Sequence, residues 1–243
     1  MKEVNTGRIN QTLAKQYQFD VKGLLSKSAS LTKMNFGSLL QGSVVLFLTF
    51  VVLGIIVQPF ITIHDDGTYT FEHQSIIEIV AICVVAPLLS GLYMMGVNQA
   101  RGNKITVFST FQYFPLFFLL ALTQLINSIL VQLGMMLLLI PGIYFYLAST
   151  FSLMLVADKK LTPISAIILS CRLFNAYWKQ LVSIYAVIIL LFITVPFTLG
   201  FSLIWVLPFY FSITGLLYQE LAGDSSEDVP TSNNGVNESS FDA

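Results

Sequence analysis

Residues 133–160 read LGMMLLLIPGIYFYLASTFSLMLVADKK, and the way this stretch divides decides the fold. It lies inside the longest uncharged run of the chain, the 53 residues between Lys104 and Asp158. About 20 helical residues cross a hydrocarbon core about 30 Å thick, so the run holds two membrane spans and a tight turn. The turn is expected at Pro141-Gly142. Pro141 gives no N–H to a preceding helix and turns Ile140 away from helical angles. Gly142 accepts a sharp reversal at little steric cost. Asp158-Lys159-Lys160 then closes the second span.

The composition agrees with this reading. Of 243 residues, 55% are hydrophobic and 10% charged, with a mean hydropathy of +0.77. Soluble domains average about 25% charged residues, so the chain belongs with polytopic membrane proteins. Two cysteines make no disulfide framework; Cys83 and Cys171 read as small apolar fillers.

Three further uncharged runs flank the first. Thirty residues between Lys33 and His64 hold span one, roughly 38–59, and 22 between Glu78 and Arg101 hold span two, with Pro87 and Gly91 as kink or close-packing points. Spans three and four are roughly 115–138 and 143–157. The 40 residues from Gln180 to Gln219 divide into spans five and six near Pro196–Gly200. Between spans one and two, ITIHDDGTYTFEH alternates Ile61, Ile63, Tyr69 and Phe71 about Asp66-Gly67, a short hairpin signal.

Amphipathic stretches precede the span pairs. Val21, Leu24, Leu25 and Phe36 share one side of a helix lying in the interface. Ile105–Phe114 runs along the same surface. In LTPISAIILSCRLFNAYWKQ, Thr162 is the N-cap and Pro163 the first helical residue. Ile164, Ile167, Ile168, Cys171, Phe174 and Trp178 form its apolar face. The expected fold is therefore all-α: a polytopic transmembrane bundle of six spans with two or three interfacial helices. Residues 1–20 are expected to be a flexible cytoplasmic N-terminus with no signal peptide, 21–222 the membrane domain, and 223–243 a disordered acidic tail. All 12 Lys and Arg fall on one side of this arrangement, which puts both termini in the cytoplasm.

Polar residues inside the spans are few. Gln124, Asn127, Ser128 and Gln132 lie within about 140° of arc on span three. They serve either as interhelical hydrogen bonds or as a polar path for a small solute or lipid in a transporter or channel. Lys159, Lys160, Arg172 and Lys179 border the last amphipathic helix, where they fix topology or hold anionic lipid head groups. His64, Asp65, Asp66, Glu72 and His73 combine metal-ligand types with the plainer role of a solvated loop. No nucleophile elbow, phosphate loop, HExxH motif or paired intramembrane carboxylate occurs, so no enzyme, cofactor or nucleic-acid partner is expected.

LVQLGMMLLLIPGIY, a span, Asp158 and PISAIILSCRLFNAYWKQL together resemble the YciC-type bacterial inner-membrane proteins. That family is similar in turn to the membrane domain of some glycerophosphodiester phosphodiesterases. The matching positions are Ile140, Pro141, Gly142, Asp158, Ala166, Ser170, Arg172, Asn175 and Trp178, within residues 130–185. The resemblance implies a multi-pass protein of the bacterial inner membrane and carries over no catalytic residue. The expected role is a non-enzymatic envelope component acting on membrane lipids, a membrane-protein partner or a second copy of the chain.

Overall fold

The computed structural model describes residues 7–14, 20–63, 69–71 and 73–223. It is all-α apart from one short hairpin. The helices are α1 Gly7–Leu13, α2 Val21–Met34, α3 Phe36–Val57, α4 Gln74–Ala100, α5 Phe117–Leu137, α6 Leu139–Ala148, α7 Ser152–Lys159, α8 Pro163–Ala176, α9 Trp178–Phe197 and α10 Leu203–Ala222. Strands β1 Ile61–Ile63 and β2 Tyr69–Phe71 pair antiparallel with Thr62 opposite Thr70, the hairpin that the alternation predicts.

Five helical stretches are long and apolar enough to cross a membrane: Phe36–Phe60, Gln74–Ala100, Val107–Leu137, Leu139–Lys159 and Trp178–Phe197. Their outer faces carry exposed Phe, Leu, Ile and Val such as Phe50, Ile55, Leu122 and Ile193, the surface that lipid covers. A sixth helix, α10, has 20 residues but holds Tyr218, Gln219 and Glu220 in its last turn.

Helix α4 is the centre of the bundle. From Val85 to Val97 nearly every residue is buried, and α10, α5, α3 and the 3₁₀ turn Val107–Phe111 all pack on it. Three glycines permit these approaches. A Cβ at Gly96 would strike the Phe211 carbonyl oxygen, and one at Gly215 would strike Gly96, so α4 and α10 cross backbone to backbone. Gly91 admits the Thr110 backbone in the same way, the close-packing role expected of it.

Several expected boundaries move. The reversal between spans three and four falls at Leu138, whose extended angles (φ −161°, ψ 152°) separate α5 from α6. Pro141 and Gly142 are not the turn but the third and fourth residues of α6. A proline in a first helical turn forfeits no hydrogen bond, so it does not force the break. Gly142 is needed for contact: a Cβ on it would lie 2.8 Å from the Met135 backbone nitrogen, and one on Gly134 would lie 2.9 Å from the Gly142 Cα. Span four is itself interrupted between α6 and α7. The amphipathic helix ends at Ala176, and Trp178 opens α9 rather than completing the face of α8. That face also divides: Ile167 and Phe174 are buried in the protein, whereas Ile164 and Ile168 are exposed. In the stretch expected to run along the interface, Val107–Phe111 and Phe114–Leu116 are 3₁₀ turns. Within the N-terminal segment read as flexible, α1 is helical and docked, with Thr12 Oγ1 donating to the Leu221 carbonyl at 2.9 Å. The acidic tail from 224 onward lies outside the described residues, as do 1–6 and 15–19.

Candidate functional site

Polar groups gather at two levels of the bundle. The first is the expected stripe on α5. Asn127, almost fully buried, donates from Nδ2 to Ser152 Oγ of α7 at 2.7 Å, and Ser152 Oγ in turn donates to the Ser149 carbonyl at 2.6 Å. One turn toward the far end, Gln132 Nε2 donates to Glu78 Oε1 of α4 and lies 3.4 Å from Ser128 Oγ. Asn127 thus faces other helices while Gln132 is exposed, and three of the four members act between or along helices. Gln124 is half-buried on the same face.

The second level is an ion-pair clasp that the sequence reading did not assemble. Arg101, the C-cap of α4, donates from both terminal nitrogens to the two Asp158 oxygens, each at 2.8 Å. Its Nε donates to Gln219 Oε1 at 2.8 Å, and the Tyr218 hydroxyl donates to Asp158 Oδ2 at 2.9 Å. The clasp ties the ends of α4, α7 and α10 together at one level. Fork-shaped guanidinium–carboxylate pairing is the strongest geometry that such a pair takes. Beside it Lys27 Nζ reaches Glu220 Oε1 at 3.1 Å, bringing α2 to the same end. One sequence signal was available: Asp158 is the sole acid between Glu78 and Glu220.

The four basic residues expected near lipid are spread over the end of α7, α8 and the start of α9. Lys160 closes α7 with left-handed angles, Arg172 is exposed on α8, and Lys179 packs its ammonium 5.8 Å from the Trp178 ring. Lys159 is half-buried beside Asp158. Burial raises the Cys171 thiol above its usual pKa, which suits a filler better than a reactive thiol.

Of the metal-ligand types in the outer loop, His64, Asp65, Asp66 and Glu72 lie outside the described residues. His73 is the residue before α4 and takes left-handed angles. Among the described residues no group of three His, Cys, Asp or Glu side chains is placed to hold a metal ion. No family model, curated protein or solved structure matches the chain.

Proposed function

We propose that the chain is a six-span protein of the bacterial inner membrane, α10 being the sixth span, with both termini in the cytoplasm. In this reading it is a non-enzymatic envelope component of the YciC type that associates with membrane lipids or with a membrane-protein partner. The observation that carries the reading is the shared level of the clasp, Lys27–Glu220 and the α1 contact with Leu221. These contacts put the ends of α4, α7 and α10 beside the N-terminal segment, and the described Lys and Arg side chains belong to those same segments and to α8 and the start of α9. A basic end opposite one that carries acids but no Lys or Arg is what the charge rule for cytoplasmic loops requires.

A reporter active only outside the cytoplasm, fused after Ala243, is expected to stay silent; strong activity overturns the orientation. The polar stripe of α5 supports a structural role over a solute path, because Asn127 and Gln132 each donate to another helix, at Ser152 and Glu78, while the buried Asn127 Oδ1 has no partner. Solute flux into proteoliposomes that Asn127→Leu abolishes, with the fold intact, would instead establish a transporter.

A further inference from the structure

Four tyrosines from four helices meet between α4, α6, α9 and α10. Tyr93 and Tyr210 join hydroxyl to hydroxyl at 2.9 Å, with their rings edge-on and 6.1 Å apart. Tyr146 and Tyr185 are electrostatic neighbours of this pair. The groups that act on these hydroxyls are other tyrosines and Thr150, with no carboxylate, ammonium or guanidinium among them.

Counting hydrogens shows what the cluster lacks. A phenol donates one hydrogen, so in the Tyr93–Tyr210 bond one ring keeps its own hydrogen for another acceptor. Tyr185 is only 5% exposed, yet its hydroxyl has no hydrogen-bond partner. Its neighbour Thr150 donates to the Leu147 carbonyl at 2.9 Å and makes no hydrogen bond with the Tyr185 hydroxyl. Two phenolic hydrogens thus stand inside an apolar bundle without acceptors, and an unmet buried donor is costly.

One member of the cluster reaches the outer surface. Helix α6 packs on α5 and α8, while α9 rests on α10, α2 and α8, so α6 and α9 are not closely packed on each other. Tyr146 of α6 is 59% exposed.

We propose that the four tyrosines form a binding site for the uncharged carbonyl oxygens of a lipid that enters sideways from the bilayer between α6 and α9. The proposal rests on the membrane-spanning reading above. Donors without a nearby charge match a neutral acceptor. An anion there would lack a cation, and an ammonium would lack a carboxylate, in a medium that penalises both. Ester carbonyls of a diacylglycerol and ring carbonyls of an isoprenoid quinone share this chemistry.

The test uses the full chain in nanodiscs doped separately with dioleoylglycerol, its ether-linked analogue, or an isoprenoid quinone, followed by native mass spectrometry. One ester-linked diglyceride or one quinone per chain is expected to be retained, and the ether analogue is not. Retention of only one of the two identifies the source of the carbonyl. Tyr185→Phe keeps the ring and its packing but removes the free donor. It should lower retention roughly three- to tenfold, the weight of one hydrogen bond. The same variant should unfold at an unchanged or higher temperature, because it deletes an unsatisfied hydroxyl. Equal retention of ether and ester lipids, no retention of any, or full retention by Tyr185→Phe overturns the site. Failure of the membrane reading looks different: alkaline carbonate would then release the protein from membranes.

Discussion

At the scale of residues, Asp158 accepts hydrogen bonds from both Arg101 and Tyr218. Removing its charge by Asp158→Asn takes a bidentate counter-charge from a guanidinium largely withdrawn from water. Breaking one side of a fully buried pair costs roughly 3–5 kcal/mol. Here 23% of the Arg101 side chain reaches water, so about 2–3 kcal/mol is expected, read as a lower unfolding midpoint in detergent. An unchanged midpoint would mean that the clasp is an ornament. Arg101→Lys should also destabilise, because an ammonium cannot serve both carboxylate oxygens and Gln219 at once. Asn127→Leu should cost less, about 0.6–2 kcal/mol, the range for hydrogen bonds between membrane helices. The raised Cys171 pKa means a smaller thiolate fraction at neutral pH. Its alkylation should therefore accelerate only at more alkaline pH than that of a free thiol. A rate plateau near neutral pH would contradict the burial. That Asp158 is isolated among the acids can be read from the sequence. Its partner cannot, since Arg101 is 57 positions away and equally fits the role of a topology marker.

At the scale of elements, glycine contacts decide which helices approach. Gly215→Val puts a branched side chain against the α4 backbone, which cannot swing aside as a side chain can. Overpacking in a yielding core costs about 1–3 kcal/mol, and this site should exceed that. Loss of the monodisperse species in size-exclusion chromatography is the expected result. Gly54→Ala is the control: nothing lies within 4 Å of its added carbon, so stability should hold or rise by up to about 1 kcal/mol. The misplaced turn has the same root. Pro141-Gly142 looks like a reversal because the residue types allow one, yet both also suit the first turn of a helix that presses on Gly134. Sequence shows that a glycine is permissive without showing whether angle or contact uses it. On α8, spin labels at Ile164 and Ile168 should report lipid, and labels at Ser165 and Arg172 water; equal depths would remove the amphipathic helix.

At the scale of the molecule, the spans were legible because uncharged runs of 20 or more residues have few other uses. How the N-terminal helices dock was not. The face of α2 turned inward carries Ser28 and Thr32 beside Leu24, and Ser28 meets Ser212 of α10. A search for an apolar stripe passes over such a face. Yet Thr32 Oγ1 returns its hydrogen to the Ser28 carbonyl at 2.8 Å and Thr214 to Tyr210 at 2.7 Å. Once the helix's own backbone takes their hydrogen, these side chains pack as small apolar groups. The hairpin of α5 and α6 provides the test of overall placement. In a background without Cys83 and Cys171, Leu138→Cys should react with a membrane-impermeant thiol reagent from outside. Protection of this position while Gly142→Cys reacts would restore the turn to the Pro-Gly pair.

The crossing of α4 and α10 has a consequence for how the protein is made. Arg101 and Gln219 are separated by 118 positions, so the ribosome delivers α4 well before its main partner. At about 5–20 residues per second the interval is on the order of ten seconds. Throughout it Gly96 of α4 waits for Phe211 and the Arg101 Nε waits for Gln219, while Asp158 reaches the guanidinium earlier. A chain interrupted before α10 would display that bare seam permanently, and membrane quality-control proteases would meet it as unfinished.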